Sequence, residues 1–182
     1  MTRKEALNLL YQHVQQEGLR RHLRATAVVM EAYAQELQED RDLWYLTGLL
    51  HDLDYEASPE EHPHRAVDLL KSLGFPEEGL QAIRLHAFPD QPALTPLDRY
   101  LRACDELTGF LIAVALVRPS RSFADIKWSS FRKKWKDRAF ARGVHRDGVV
   151  KAVEEAGLAF QPHVMFMLRA LAEQEPFVWD GG

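Results

Sequence analysis

Cysteine is almost absent: Cys104 is the only one in 182 residues. That excludes an intrachain disulfide and fits a cytoplasmic protein best. Long apolar runs are absent too. The longest, Phe110 to Val117, is far shorter than the roughly 20 residues a membrane span needs. The start, Met1-Thr2-Arg3-Lys4-Glu5, leads into an amphipathic stretch and not into a signal peptide's apolar core, so no targeting segment is expected. There is no strand-like alternation, no internal repeat and no low-complexity segment. What remains is ordinary for one globular domain, with 46% hydrophobic and 27% charged residues.

The periodic segments read as helix, and the fold class expected is all-α. Leu7, Leu10 and Val14 repeat at helical spacing, and the stretch from Leu19 to Leu37 continues that style. Asp40 to Asp42 supplies acidic caps to a short, very apolar helix over Leu43 to Leu50, which should be buried on most sides. His62-Pro63 looks like a helix start, with Pro63 at the first helical position and Gly74 as the stop. A further helix runs from Pro76 to His86. Thr95-Pro96 opens a long one through Val117, ended by Arg118-Pro119. Ser122 and Asp125 resemble a capping box for a helix carrying basic residues. His145 to Ala156 and Pro162 to Gln174 complete the set, and the closing Gly181-Gly182 should fray.

Charge is unevenly spread. Net charge is −4, yet nine Lys and Arg residues between Arg118 and Arg142 face only Asp125 and Asp137. That segment carries +7 and the rest of the chain −11. A charge run is often a solvated face; the functional alternative is an anion pocket.

Imidazoles and carboxylates fall where separate helices deliver them to one point. His22 lies on an early helix. His51-Asp52 closes the apolar one, where adjacent side chains can both turn into a cleft. His62 and His64 follow an acidic turn, and His86 ends a later helix. Asp105 sits within the long apolar segment, costly unless it is paired or coordinated. Arg99 or Arg102 would be its ordinary ion-pair partner. As a set, His22, His51, Asp52, His62, His86 and Asp105 suit Zn, Mn, Fe, Co, Ni or Mg, and such a site points to hydrolysis.

These residues together resemble the HD superfamily of metal-dependent phosphohydrolases. The family pattern is a helical His, a His-Asp doublet and a distant Asp, here His22, His51-Asp52 and Asp105. Members that hold two ions add two His between doublet and distal Asp. One commonly precedes a proline, as His62-Pro63 does; the other ends the next helix, as His86 does. The chain is most similar to a bacterial subgroup of about this length. The matching stretches are His51 to Glu56, Glu60-Glu61-His62, Cys104 to Gly109, Arg118-Pro119-Ser120 and Ser129-Ser130 through Asp137.

The resemblance implies a helical HD core over about residues 19–117 with a basic helical extension over 118–174. It implies one or two divalent ions: His22, His51, Asp52 and Asp105 on the first, His62 and His86 on the second, with Asp52 bridging. His62 is preferred to His64, because a residue at the cap reaches sideways into the cleft. Hydrolysis would proceed by a metal-activated hydroxide. Asp54 or Glu56 would give a proton to the leaving group. Arg118, Lys133 and Lys136 would fold back over the cleft and hold phosphate. The substrate expected is a small phosphorylated metabolite, most plausibly a nucleotide. Two other classes compete. One is a metal-containing module that binds a phosphorylated ligand without turnover. The other, less favoured, is a nucleic-acid binder in which Trp128 and Trp135 stack on bases.

Overall fold

Residues 1–180 are described by a computed structural model, and ten helices form among them with no strand. They are α1 Arg3–His13, α2 Glu17–Leu37, α3 Arg41–Leu50, α4 His64–Ser72, α5 Glu77–His86, α6 Pro96–Leu116, α7 Trp128–Lys136, α8 Arg146–Glu155, α9 Phe160–Glu173 and α10 Glu175–Asp180. The fraying expected of Gly181-Gly182 lies outside the described residues. None of these helices is long and apolar enough to cross a membrane.

Local sequence sets the helix starts. Thr2 with Glu5, and Thr95 with Asp98, form reciprocal capping boxes for α1 and α6. Asp40 accepts from the amides of Asp42 and Leu43 at the head of α3. Two expectations are corrected. Pro63 stands at the cap of α4, and His64 takes the first helical position. Ser122 caps no helix: α7 begins at Trp128, and the Ser122 hydroxyl donates to Glu175 at 2.8 Å. An Asp three residues after a Ser produces a capping box only if a helix follows at once, and here a turn intervenes.

The antiparallel pair α2 and α3 forms the centre of the fold. Gly48 makes their close approach possible: a methyl group there would stand 3.0 Å from Ala27 Cα and from the Thr26 carbonyl. Two apolar cores lie on either side of the pair. One packs α1, α3, α4 and α5 around Leu10, Leu49, Leu50 and Leu70. The other packs α2, α6, α8 and α9 around Met30, Leu107, Phe110 and Met167, and reaches Val178 in α10. Truncating any one of these leucines to Ala costs about 2–5 kcal/mol by the usual cavity argument. The C-terminal extension thus shares a core with α2 and α6 and does not stand apart from them.

Candidate metal centre

Each ligating side chain is delivered by a different piece of the chain. His22 projects from α2 and Asp105 from the middle of α6. His51 caps the C-terminus of the buried α3, itself 0% exposed, and Asp52 continues the turn behind it. His62 follows the short 3-10 turn Pro59–Glu61, and His86 is the last residue of α5. Ligand atoms of His22, His51, Asp52 and Asp105 all lie within 4.8 Å of one another, as do those of Asp52, His62 and His86. Asp52 belongs to both groups.

Hydrogen bonds fix the imidazole tautomers. His51 Nδ1 donates to the Gly48 carbonyl at 2.9 Å, and His86 Nδ1 donates to the Ile83 carbonyl at 2.5 Å. His62 Nδ1 donates to Asp54 Oδ1 at 2.7 Å. In the neutral rings, each Nε2 then carries a bare lone pair aimed inward. Those lone pairs meet further acceptors. His62 Nε2 and His86 Nε2 are 3.2 Å apart, and they stand 3.3 and 3.2 Å from Asp52 Oδ1. His22 Nε2 and His51 Nε2 lie 2.9 and 3.2 Å from Asp105 Oδ1. Acceptors converging on acceptors repel unless a proton or cation lies between them. The donor set therefore fits divalent metal, with imidazole and carboxylate ligands oriented from behind.

The electrostatics agree. Burial alone would depress the His51 pKa, but the Asp52 and Asp105 carboxylates outweigh it and push it up to about 9. Burial raises Asp52, yet the His51 and His86 imidazoles bring it down to about 2. Asp105, against its own burial, is held well below the usual carboxylate range by His51 and His22. Without metal, a proton on His51 does part of the work of a cation.

Several sequence expectations meet specific outcomes here. The structure brings all six expected ligands together. His64 is exposed, its ring 5.9 Å from that of Phe88, so the choice falls on His62. Arg102 does not pair with Asp105: its guanidinium donates to the carbonyls of Leu85, Phe88 and Gln91, pinning the loop behind His86.

Both expected proton donors accept hydrogen bonds in the structure. Asp54 is 7% exposed; besides holding His62, it accepts the Ala66 amide at 2.9 Å through Oδ2. It orients His62 and caps the region of α4, a role the sequence reading missed. An acidic residue shortly before a His-Pro helix start was the available signal. Glu56 accepts the amides of Gln15 and Gln16 at 2.9 Å each, just ahead of α2.

The basic segment follows the C-terminal end of α6. Arg118 and Lys133 line a pocket at the C-terminal end of α6, and Lys136 is exposed outside it. At 1.5 Å per residue, that end lies about 14–18 Å along the helix from Asp105. Trp128 and Trp135 turn inward. Trp128 stacks on Phe131 at 5.4 Å, and Trp135 meets Phe110 at 4.9 Å and Phe160 at 5.1 Å. Both are partly buried, and each stacks on Phe131.

An all-helical domain with such a cluster of imidazoles and carboxylates is of a kind that can hold divalent metal. The pattern of the HD domain family matches residues 19–109, and the chain belongs to that family. The matched span runs from the first turns of α2 to just past Asp105 and includes all six expected ligands. Neither the curated proteins nor the solved structures compared with the chain give a match.

Proposed function

We propose that the protein is a divalent-metal-dependent phosphohydrolase acting on a small phosphorylated metabolite, with a nucleotide the preferred substrate. The observation that carries the reading is the pair of ligand groups sharing Asp52. His22, His51, Asp52 and Asp105 would hold one ion; Asp52, His62 and His86 would hold another. When bound, the ions supply Lewis acidity toward a phosphoryl oxygen and a nucleophile at neutral pH. The protein's part is orientation. Asp52 sets the spacing of the two positions. Gly48, Ile83 and Asp54 keep three imidazoles turned so that Nε2 faces the cleft. Tyr55, half-exposed with its ring 5.3 Å from that of His62, stands at the mouth, where it can contact the rest of a substrate.

Elemental analysis after saturation with Mn or Ni should approach two ions per chain. Phosphate release should be measured on a panel of mononucleotides, cyclic nucleotides and sugar phosphates. Turnover that disappears with chelator and returns with metal supports the reading. Full metal occupancy with no turnover on any phosphoester would leave a ligand-binding module in its place.

A further inference from the structure

The cations that were expected over the metal centre form a pocket of their own. A cavity of about 640 Å³ opens between the end of α6 and the outer face of α7. Arg118, Lys133 and Lys134 line it with the hydroxyl residues Ser129 and Ser130, and Val114 and Val117 form an apolar wall. No carboxylate lines it. Ser130, Lys133 and Lys134 share one α7 face by helical spacing, with Ser129 one turn before Lys133.

No acidic side chain offsets the cations here, although the Lys134 ammonium lies over the Phe140 ring at 4.6 Å. Within the basic segment the one ion pair among the described residues is Arg138 to Asp147, at 3.6 Å, outside the pocket. Arg118 Nε is buried and has no hydrogen-bond partner. A buried guanidinium N–H without an acceptor costs free energy, and three clustered cations repel one another. A multiply charged anion would relieve both. The wall suits a ligand with an apolar or planar body as well: Val117 is 57% exposed, an apolar side chain left open beside the cations. The cavity volume is within the range usual for small-molecule sites.

We propose that this pocket binds the phosphate end of a small phosphorylated ligand, at a site separate from the metal centre. Arg118 and Lys133 take the phosphate oxygens, and Val114 and Val117 hold the ligand's body. None of the six metal-ligating residues lines the pocket, so the proposal stands whether or not the centre catalyses hydrolysis. The inward turn of Trp128 and Trp135 favours a compact ligand over a nucleic-acid strand.

Calorimetric titration of chelator-treated protein with pyrophosphate and with ATP tests this without metal. Saturable binding at one site is expected. Lys133→Ala, at an exposed position where folding is not in question, should weaken it about tenfold to a hundredfold, the value of one charge-assisted hydrogen bond. Arg118→Gln should do the same, with circular dichroism confirming the fold. Lys136→Ala, on the same helix but outside the pocket, should change nothing. Absence of binding by both probes would overturn the proposal. So would equal weakening by Lys136→Ala, or tighter, steeply salt-dependent binding of a 20-nucleotide strand, which would mark a nucleic-acid surface instead.

Discussion

The two ligand groups share Asp52 but are held by different physics. His22, His51 and Asp105 sit on α2, α3 and α6, whose facing sides form the apolar cores. Their relative positions are set by packing, down to the helix approach at Gly48. His62 and His86 come from the ends of short elements and owe their orientation to single hydrogen bonds, to Asp54 and to the Ile83 carbonyl. The first group moves only if the core moves. The second can be altered by one side chain, so the two ion positions should be separable by mutation.

Removing the shared ligand should erase the distinction. Asp52→Ala is expected to lower metal content at both positions. Phosphohydrolase activity should fall by about a thousandfold or more, since metal assistance is worth several kcal/mol and each 1.36 kcal/mol is tenfold. Elemental analysis and initial rates provide the check; one ion retained at full affinity would contradict the bridging role.

Acidity should act on the packed group first. Below about pH 9, metal-free His51 carries a proton that an incoming ion must displace. Metal affinity should therefore rise with pH, about tenfold per unit, and level off near pH 9. Competition titrations from pH 7 to 9 would show the slope, and a flat profile would rule out proton–metal exchange at His51.

The hydrogen-bonded group should respond to Asp54→Asn. With the charge behind the His62 imidazole gone, affinity at the second position should drop about tenfold to a hundredfold, as is usual when a ligand's orienting partner is lost. The first position should keep its affinity. Loss at both would mean that the groups are not independent.

The smallest effect on the centre is expected from a histidine outside it. His163 is buried between the Tyr33 hydroxyl and the Ala103 carbonyl. Burial outweighs the carbonyl's pull and lowers its pKa to about 4. The unfolded chain thus binds a proton more readily between pH 6.5 and 4. Folded stability should decline as pH falls through that window, by on the order of 3 kcal/mol from this residue. Denaturant melts of His163→Gln should show a shallower decline than the parent, with metal content unchanged at neutral pH. An identical pH profile would discount His163 as a source of acid sensitivity.

Much of the fold and the centre was legible because its signals are local. Capping residues at Thr95 and Asp40, and apolar spacing along α2 and α6, mark their helices directly. The His-Asp doublet and the distal Asp105 carry the family pattern. What the sequence does not show is a side chain's partner beyond its own turn. Nothing within their own turns reveals that Asp54 holds His62, eight positions on, or that Glu56 holds the amides before α2. Adjacency to α6 fixes where the basic run starts, not which surface Arg118 and Lys133 line.

Periodicity, capping and ligand chemistry, all determined by neighbouring residues, made the sequence by itself sufficient for an all-helical chain with six candidate ligands. Tertiary structure decided which histidine of the 62/64 pair turns inward, which acids are engaged, and that Arg118 and Lys133 line one pocket. Those outcomes depend on how whole helices pack. A side chain's direction after packing follows from contacts beyond its own turn, from 8 positions apart for His62 with Asp54 to 154 for Arg24 with Val178.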